Sequence, residues 1–171
     1  MTRTVVIGLG NDYRGDDGAG LAAARVLRDL GVPAVENAGD PAELIEAWTG
    51  ADVAVLVDAA RSADPPGTVR RHDGVPWLSH GGASTHALSL ADAVSLARAL
   101  GRAPGRLVVY TVEGGDFALG RGLSEPVAAA VRALARTIAR DLDGRAVSRS
   151  GEAAPPPACR RPGASPPASA W

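Results

Sequence analysis

Residues 8–20 have the sequence Gly8-Leu9-Gly10-Asn11-Asp12-Tyr13-Arg14-Gly15-Asp16-Asp17-Gly18-Ala19-Gly20. They follow a short apolar run, Thr4 to Ile7, and precede a segment with the apolar spacing of a helix. A glycine-rich turn between a strand and a helix commonly holds a phosphate on its backbone N–H groups. This turn carries three aspartates, whose charges repel an anion. It therefore predicts the first strand–turn–helix unit of an α/β fold, with a turn that favours a cation.

A dinucleotide site is the alternative for the same turn. Gly8 and Gly10 begin the G-x-G-x-x-G pattern, and Glu36 stands where an acid that binds ribose is expected. The third glycine of the pattern is replaced by Tyr13, whose side chain obstructs both helix packing and the pyrophosphate. The neighbouring aspartates also disfavour a phosphate, so this alternative is the weaker one.

Apolar strands and amphipathic helices alternate along the chain. The strongest strand is Val53 to Val57, whose continuous apolar character indicates burial on both faces of a parallel sheet. The other predicted elements are strands at residues 4–7, 32–36, 68–71 (an edge strand) and 107–112, and helices beginning near Gly18, Asp40, His86 and Ser124. This alternation predicts a single three-layer α/β/α domain over residues 1–143, with a mostly parallel, doubly wound sheet.

The last segment, residues 144–171, has a different composition. It holds six of the 13 prolines, is rich in Ala and Arg, and shows no apolar period. Such a segment buries too little apolar surface to offset the entropy lost on ordering. We expect it to be a disordered tail with no part in the chemistry.

Bulk composition excludes several classes of function. The net charge is −1, which gives no attraction to nucleic acid or to an anionic membrane, and no stretch approaches about 20 apolar residues. The chain has no lysine, which excludes a Schiff-base lysine and the phosphate loop that ends in Gly-Lys. Its one cysteine, Cys159, excludes an internal disulfide and a multi-cysteine zinc site. We expect a cytoplasmic protein.

Three polar residues are predicted to lie at the carboxyl edge of the sheet. Asp17 begins the first helix, Asp58 follows the third strand, and His86 begins the helix after the glycine-rich segment. If the first and third strands are neighbours, the crevice between them is where open α/β sheets bind ligands. Two carboxylates and one imidazole suit a first-row divalent metal with positions left for water or substrate.

Each of these residues also has a purely structural interpretation. Asp17 could be a helix cap and nothing more. His86, taken by itself, could be a loop histidine. Asp58 is harder to explain as a structural residue, because a carboxylate that follows five apolar residues needs a partner. His72 and His80 have no informative context. We expect Asp12 and Asp16 to be exposed, with Asp16 as a possible outer partner of the site.

The order and spacing of several segments resemble the hydrogenase maturation proteases, which process the large subunit of nickel–iron hydrogenases. The similarity covers residues 1–143. Its segments are G-x-G-N with Asp16-Asp17-Gly18-x-Gly20, Val57-Asp58-Ala59, Pro66-Gly67-Thr68, Ser84-Thr85-His86 and Gly122-Leu123-Ser124. The family has a Gly-Gly pair after the second strand, where this chain has Asn37-Ala38-Gly39.

The resemblance implies an endopeptidase that removes the C-terminal extension of the large-subunit precursor after nickel insertion. It implies that Asp17, Asp58 and His86 are the catalytic and metal-binding residues, and that the metal is nickel, the substrate's own ion. It places the chemistry on acids, as in an aspartyl protease; no G-x-S-x-G motif is present and Cys159 lies in the tail. We expect a cytoplasmic monomer whose partner is the precursor, with no nucleic acid or membrane.

Two questions remain open from the sequence. The metal could polarise the scissile carbonyl or supply hydroxide, or it could only dock the substrate while Asp17 or Asp16 activates water as a general base. The same residues would also suit a non-proteolytic, nickel-dependent assembly chaperone, or a hydrolase acting on another peptide. Only a protease shortens its partner.

Overall fold

The computed structural model describes residues 2–74 and 86–144. The chain alternates strands with helices, as predicted. In chain order the elements are β1 (Thr4–Leu9), α1 (Ala19–Asp29), β2 (Ala34–Asn37), α2 (Pro41–Trp48), β3 (Val53–Ala60), β4 (Val69–Asp73), α3 (Ala87–Ala99), β5 (Arg106–Glu113) and α4 (Glu125–Asp143), with a 3-10 turn at Gly15–Gly18 before α1.

The five strands form one sheet in the order β2-β1-β3-β5-β4. β2, β1, β3 and β5 are parallel, and β4 pairs antiparallel with β5 at one edge. The condition stated for the crevice is met, because the first and third strands are neighbours: β1 pairs with β3 from Thr4↔Val53 to Gly8↔Val57. The direction of the chain along the sheet reverses between these two strands, so the crevice expected at that point is present.

Helices cover both faces of the sheet, which confirms the three-layer α/β/α architecture. α1 and α4 pack on one face, where Leu27 and Val131 lie in the same cluster as Val55. α2 and α3 pack on the other face, where Trp48 and Leu90 lie with Leu56. Alternate residues of β3 enter the two clusters, and all eight of its residues are buried. Burial on both faces explains the continuous apolar run.

Two glycines bring the start of α1 into close contact with the sheet. A Cβ on Gly8 would lie 2.0 Å from the carbonyl oxygen of Gly20. A Cβ on Gly20 would lie 2.1 Å from the carbonyl oxygen of Leu9 and 2.3 Å from that of Val57. These glycines are therefore required by helix–sheet packing, and this packing holds the turn before α1 at the crevice.

Two of the predicted helix starts, at Asp40 and Ser124, are held by different contacts. Asp40 caps α2, accepting hydrogen bonds from the N–H groups of Ala42 and Glu43 at 2.8 and 3.0 Å. Ser124 occupies the N-cap position of α4, but its side chain makes no capping hydrogen bond. Its hydroxyl donates to Asp16 instead, at 2.9 Å. A tertiary partner has replaced the local one.

Some predictions fall on residues that the structure does not describe. Residues 145–171 of the tail and His80 lie outside the described residues, and the division of the chain at residue 143 stays a prediction. Within residues 2–74 and 86–144, none of the helices has the length and apolar character needed to cross a membrane.

Candidate functional site

Asp58 lies inside β3. The expectation that it follows the strand is wrong, because β3 continues to Ala60, and Asp58 itself pairs in register with Thr111 of β5. The carboxylate interrupts the apolar run, whereas the ladder of backbone hydrogen bonds continues through it. The side chain of Asp58 is fully buried near the carboxyl end of the sheet.

Asp58 and His86 contact each other directly. Oδ1 of Asp58 lies 2.9 Å from Nδ1 of His86, and Oδ2 accepts a hydrogen bond from the backbone N–H of His86 at 3.2 Å. The N–H of Ala59 also donates to Oδ1, at 2.8 Å. His86 is the residue before α3, so Asp58 fixes both the imidazole ring and the start of that helix.

The pKa of His86 is raised above its ordinary value. The hydrogen bond to Asp58 is the largest cause, and burial of the ring opposes it. The negative charges of Asp58 and Asp17 raise the pKa further. The packing of Gly20, three residues after Asp17, on the carbonyl oxygen of Val57 places the turn of Asp17 beside Asp58.

Asp17 lies in the 3-10 turn and is only 8% exposed. Its backbone is held by the carbonyl oxygen of Arg14 and the N–H of Asn11. Its carboxylate accepts no hydrogen bond from any residue in the described part of the chain, and it does not cap α1, where Gly18 is the N-cap residue. Among the described residues, the buried polar side-chain atoms without a partner do not include the oxygens of Asp17, so water or a cation can reach this carboxylate and compensate its charge.

Gly39 is a site residue that the sequence analysis did not identify. Its φ of +90° lies in the left-handed region, and a Cβ there would lie 2.6 Å from Cδ2 of His86. The buried side chain of Asn37 accepts a hydrogen bond from the N–H of Gly39 at 2.7 Å. The Asn37-Ala38-Gly39 segment therefore supports the imidazole ring. The only signal in the sequence was the difference from the family's Gly-Gly pair.

Asp16 is fully buried, so the expectation that it is exposed is wrong. Its carboxylate accepts hydrogen bonds from the N–H groups of Gly115, Asp116 and Ser124 and from the hydroxyl of Ser124. Burial alone would raise the pKa of Asp16, but these donors outweigh it and the pKa is lowered. With both oxygens engaged, Asp16 is poorly placed to act as a general base.

The three predicted site residues therefore differ in how the structure places them. Asp58 and His86 are in contact with each other, whereas Asp17 lies on the 3-10 turn before α1. In residues 2–74 and 86–144, no group of three or more His, Cys, Asp or Glu side chains is arranged as a metal site. The donor types still suit a first-row divalent ion, and the carboxylate of Asp17 has no hydrogen-bond donor among the described residues that would compete with one.

The residues that would serve a dinucleotide are engaged elsewhere. Glu36 forms ion pairs with Arg25 and Arg28 on the outer surface of α1. Asp12, which we expected to be exposed, is partly buried and pairs with Arg25, at 2.6 Å between Nη2 and Oδ2. These contacts account for both acids without a ligand.

His72 is also accounted for by local contacts. Its Nε2 lies 3.2 Å from the hydroxyl oxygen of Thr111, and burial, with the charge of Arg70, lowers its pKa. These contacts are sufficient to explain His72 as a structural residue.

Several solved structures have the same fold. The [NiFe] hydrogenase maturation protease HybD from Thermococcus kodakarensis is 31% identical, with a TM-score of 0.73 over 82% of this chain and 99% of that chain. The protease HycI from Thermococcus kodakarensis KOD1 is 27% identical, with a TM-score of 0.64 over 83% and 93%. The maturating endopeptidase HybD from E. coli, at 24% identity, shares the fold with a TM-score of 0.72 over 84% and 94%.

The family comparison agrees with the structural ones. No curated protein sequence matches the chain. The family model HycI, described as hydrogenase maturation protease, matches residues 31–141, which is more than half of the chain. The chain therefore belongs to the hydrogenase maturation protease family, whose members are peptidases.

Proposed function

We propose that this protein is the endopeptidase that removes the C-terminal extension from the precursor of a nickel–iron hydrogenase large subunit after nickel insertion. Family membership supplies the reaction class. The observation that carries the assignment of the site is Asp17, a residue that is 8% exposed and whose carboxylate has no hydrogen-bond donor among the described residues. It lies on the turn before α1, which packs against β3 beside the Asp58–His86 pair. That arrangement suits a cation, which in this proposal is the nickel ion of the precursor.

In this proposal the nickel ion belongs to the precursor and is recognised by Asp17, Asp58 and His86. A divalent ion next to a peptide bond polarises its carbonyl and lowers the pKa of water. An imidazole binds a metal as the neutral base, and the raised pKa of His86 makes the loss of its proton harder than for an ordinary histidine. The loaded precursor supplies the positive charge that drives this loss, so that an empty precursor is bound less well.

Asp16 and Asp17 differ in how well each could activate water as a general base. Of the two carboxylates considered as general base, Asp16 has both oxygens taken by backbone and hydroxyl donors. The carboxylate of Asp17 has no hydrogen-bond donor among the described residues. We therefore assign the role of general base to Asp17, unless the metal itself activates the water. The proposal also includes action as a monomer in the cytoplasm, as the family resemblance implies.

The test is cleavage of a nickel-loaded precursor by the purified protein, followed by intact-mass measurement. We expect the precursor to lose the mass of its C-terminal extension with the wild-type protein. Asp17→Ala, Asp58→Ala and His86→Ala should each abolish the loss while circular dichroism remains that of the folded protein. An assembly chaperone would bind the precursor and leave its mass unchanged. Full processing by all three variants would refute the assignment of the site.

A further inference from the structure

A second set of contacts joins the turn of Asp17 to the segment between β5 and α4, residues 114–124, here called the β5–α4 loop. Asp16 lies at the centre of these contacts. Its Oδ2 accepts hydrogen bonds from the N–H groups of Gly115 and Asp116 at 2.8 and 2.9 Å. Its two oxygens accept from the N–H and the hydroxyl of Ser124 at 2.7 and 2.9 Å. One buried carboxylate therefore ties together both ends of the loop and the start of α4.

Backbone hydrogen bonds add to the connection. The N–H of Asp16 donates to the carbonyl oxygen of Asp116 at 2.7 Å. Gly120 accepts from the N–H of Gly15 at 3.1 Å and donates to the carbonyl oxygen of Tyr13 at 3.0 Å. A Cβ on Gly15, whose φ is +54°, would lie 2.5 Å from the carbonyl oxygen of Asp116. The turn and the loop are thus joined by backbone hydrogen bonds and are closely packed at Gly15.

We propose that Asp16 is a positioning residue, whose carboxylate anchors the 3-10 turn to the β5–α4 loop and so holds Asp17 next to the Asp58–His86 pair. This inference rests on the proposed function. Asp16 and Asp17 are successive residues of a four-residue turn, so a shift of one changes the direction of the other. The carboxylate of Asp17 has no donor of its own among the described residues, and its place depends on the backbone that Asp16 anchors.

The test variant is Asp16→Asn, which keeps the size of the side chain. An amide has one acceptor oxygen, and its NH2 group would face backbone N–H groups that need an acceptor. Asp116→Asn is the matched control, because that carboxylate is exposed and, among the described residues, accepts only from the N–H of Ala118. Both variants lose one negative charge from the same region, and only one of them loses the anchor.

Two measurements decide the question at a temperature where thermal melting shows both variants folded. With nickel-loaded precursor, we expect Asp16→Asn to lower kcat by about 10- to 100-fold with KM unchanged, and Asp116→Asn to behave as wild type. Two N–H groups report on the turn in amide hydrogen exchange: that of Asn11 donates to the carbonyl oxygen of Asp17, and that of Asp17 donates to the carbonyl oxygen of Arg14. We expect both to exchange faster in Asp16→Asn. A role confined to the loop would speed exchange at Gly115 and Ser124 alone and leave kcat unchanged; that result would overturn the proposal.

A second variant keeps the proposal testable if Asp16→Asn does not fold. Ser124→Ala removes one of the four donors and no capping hydrogen bond. We expect it to lower kcat less than Asp16→Asn would, with faster exchange at Asp17; wild-type values for both would refute the role of Asp16. If the wild-type protein does not cleave the precursor, the proposed function fails, and amide exchange alone decides whether Asp16 holds the turn.

Discussion

Asp16 and Asp17 are neighbours with identical side chains and different surroundings. Asp16 accepts four hydrogen bonds from the protein, whereas Asp17 accepts none from the described residues although it is almost as buried. A carboxylate with several donors is stabilised in its charged form, and one without donors needs a cation or water. Successive residues of a tight turn point in different directions, which allows one acid to anchor and the other to bind.

The Asp58–His86 pair leads to a prediction about pH. Asp58→Asn removes the charge and the main hydrogen-bond acceptor that raise the pKa of His86, so we expect this pKa to fall towards or below its ordinary value of 6.5. NMR titration of the imidazole resonances measures it. His72 is the internal control, since its pKa is lowered by burial and by Arg70 and should not move. An unchanged pKa of His86 would contradict the observed contact.

The same pair affects stability with a definite sign. A folded-state pKa above the unfolded value stabilises the fold below the unfolded pKa, and this contribution is lost as the pH rises through the folded-state pKa. Wild-type protein should therefore lose stability over that interval relative to Asp58→Asn. Urea unfolding at a series of pH values from about 6 upward measures the difference. A constant difference over this range would show that the pair does not titrate with folding.

At the scale of elements, the site is built at the carboxyl edge of three parallel strands. The turn after β1 supplies Asp17, the connection after β2 supplies Gly39, and β3 itself supplies Asp58. The β5–α4 loop then packs against the first of these connections. Because parallel strands end at the same edge, loops that are far apart in the chain meet there.

Gly39 yields a prediction about one of these connections. Gly39→Ala should cost about 1–2 kcal/mol for the left-handed backbone and should also displace the ring of His86, whose Cδ2 would lie 2.6 Å from the new Cβ. Gly31→Ala is the matched control, since φ is +81° there and nothing lies within 4 Å of the missing Cβ. We expect both variants to lose stability in urea and only Gly39→Ala to lose cleavage. Equal cleavage by the two would show that Gly39 does not support the site.

At the scale of the whole molecule, the three layers enclose two apolar clusters, one on each side of the sheet. The described elements extend from β1 at Thr4 to the end of α4 at Asp143, and the family match ends at residue 141. The residues proposed for catalysis and the anchor through Asp16 all lie between these limits. A chain without the last segment therefore retains the elements that build the site.

Truncation after Asp143 tests this division of the chain. We expect the shortened protein to fold and to process the precursor at the wild-type rate, because no proposed site residue is removed. The measurement is the gel shift of the large subunit in cells that carry the truncated gene, with thermal melting of the purified protein. Lost processing by a truncated protein that still folds would assign residues 144–171 a role in the reaction.

Periodicity and local signals determined much of this molecule. The run Val53 to Val57, the cap at Asp40 and the glycines around Asp17 each depend on a few neighbouring residues, and they predict the order of the elements and the crevice. They also identify Asp17, Asp58 and His86 as candidates. Tertiary structure decided that Asp16 is buried, that Asp58 lies within β3 and contacts His86, and that Gly39 packs against the imidazole. These contacts join residues 28 to 108 positions apart, and such pairs are set by how the elements pack.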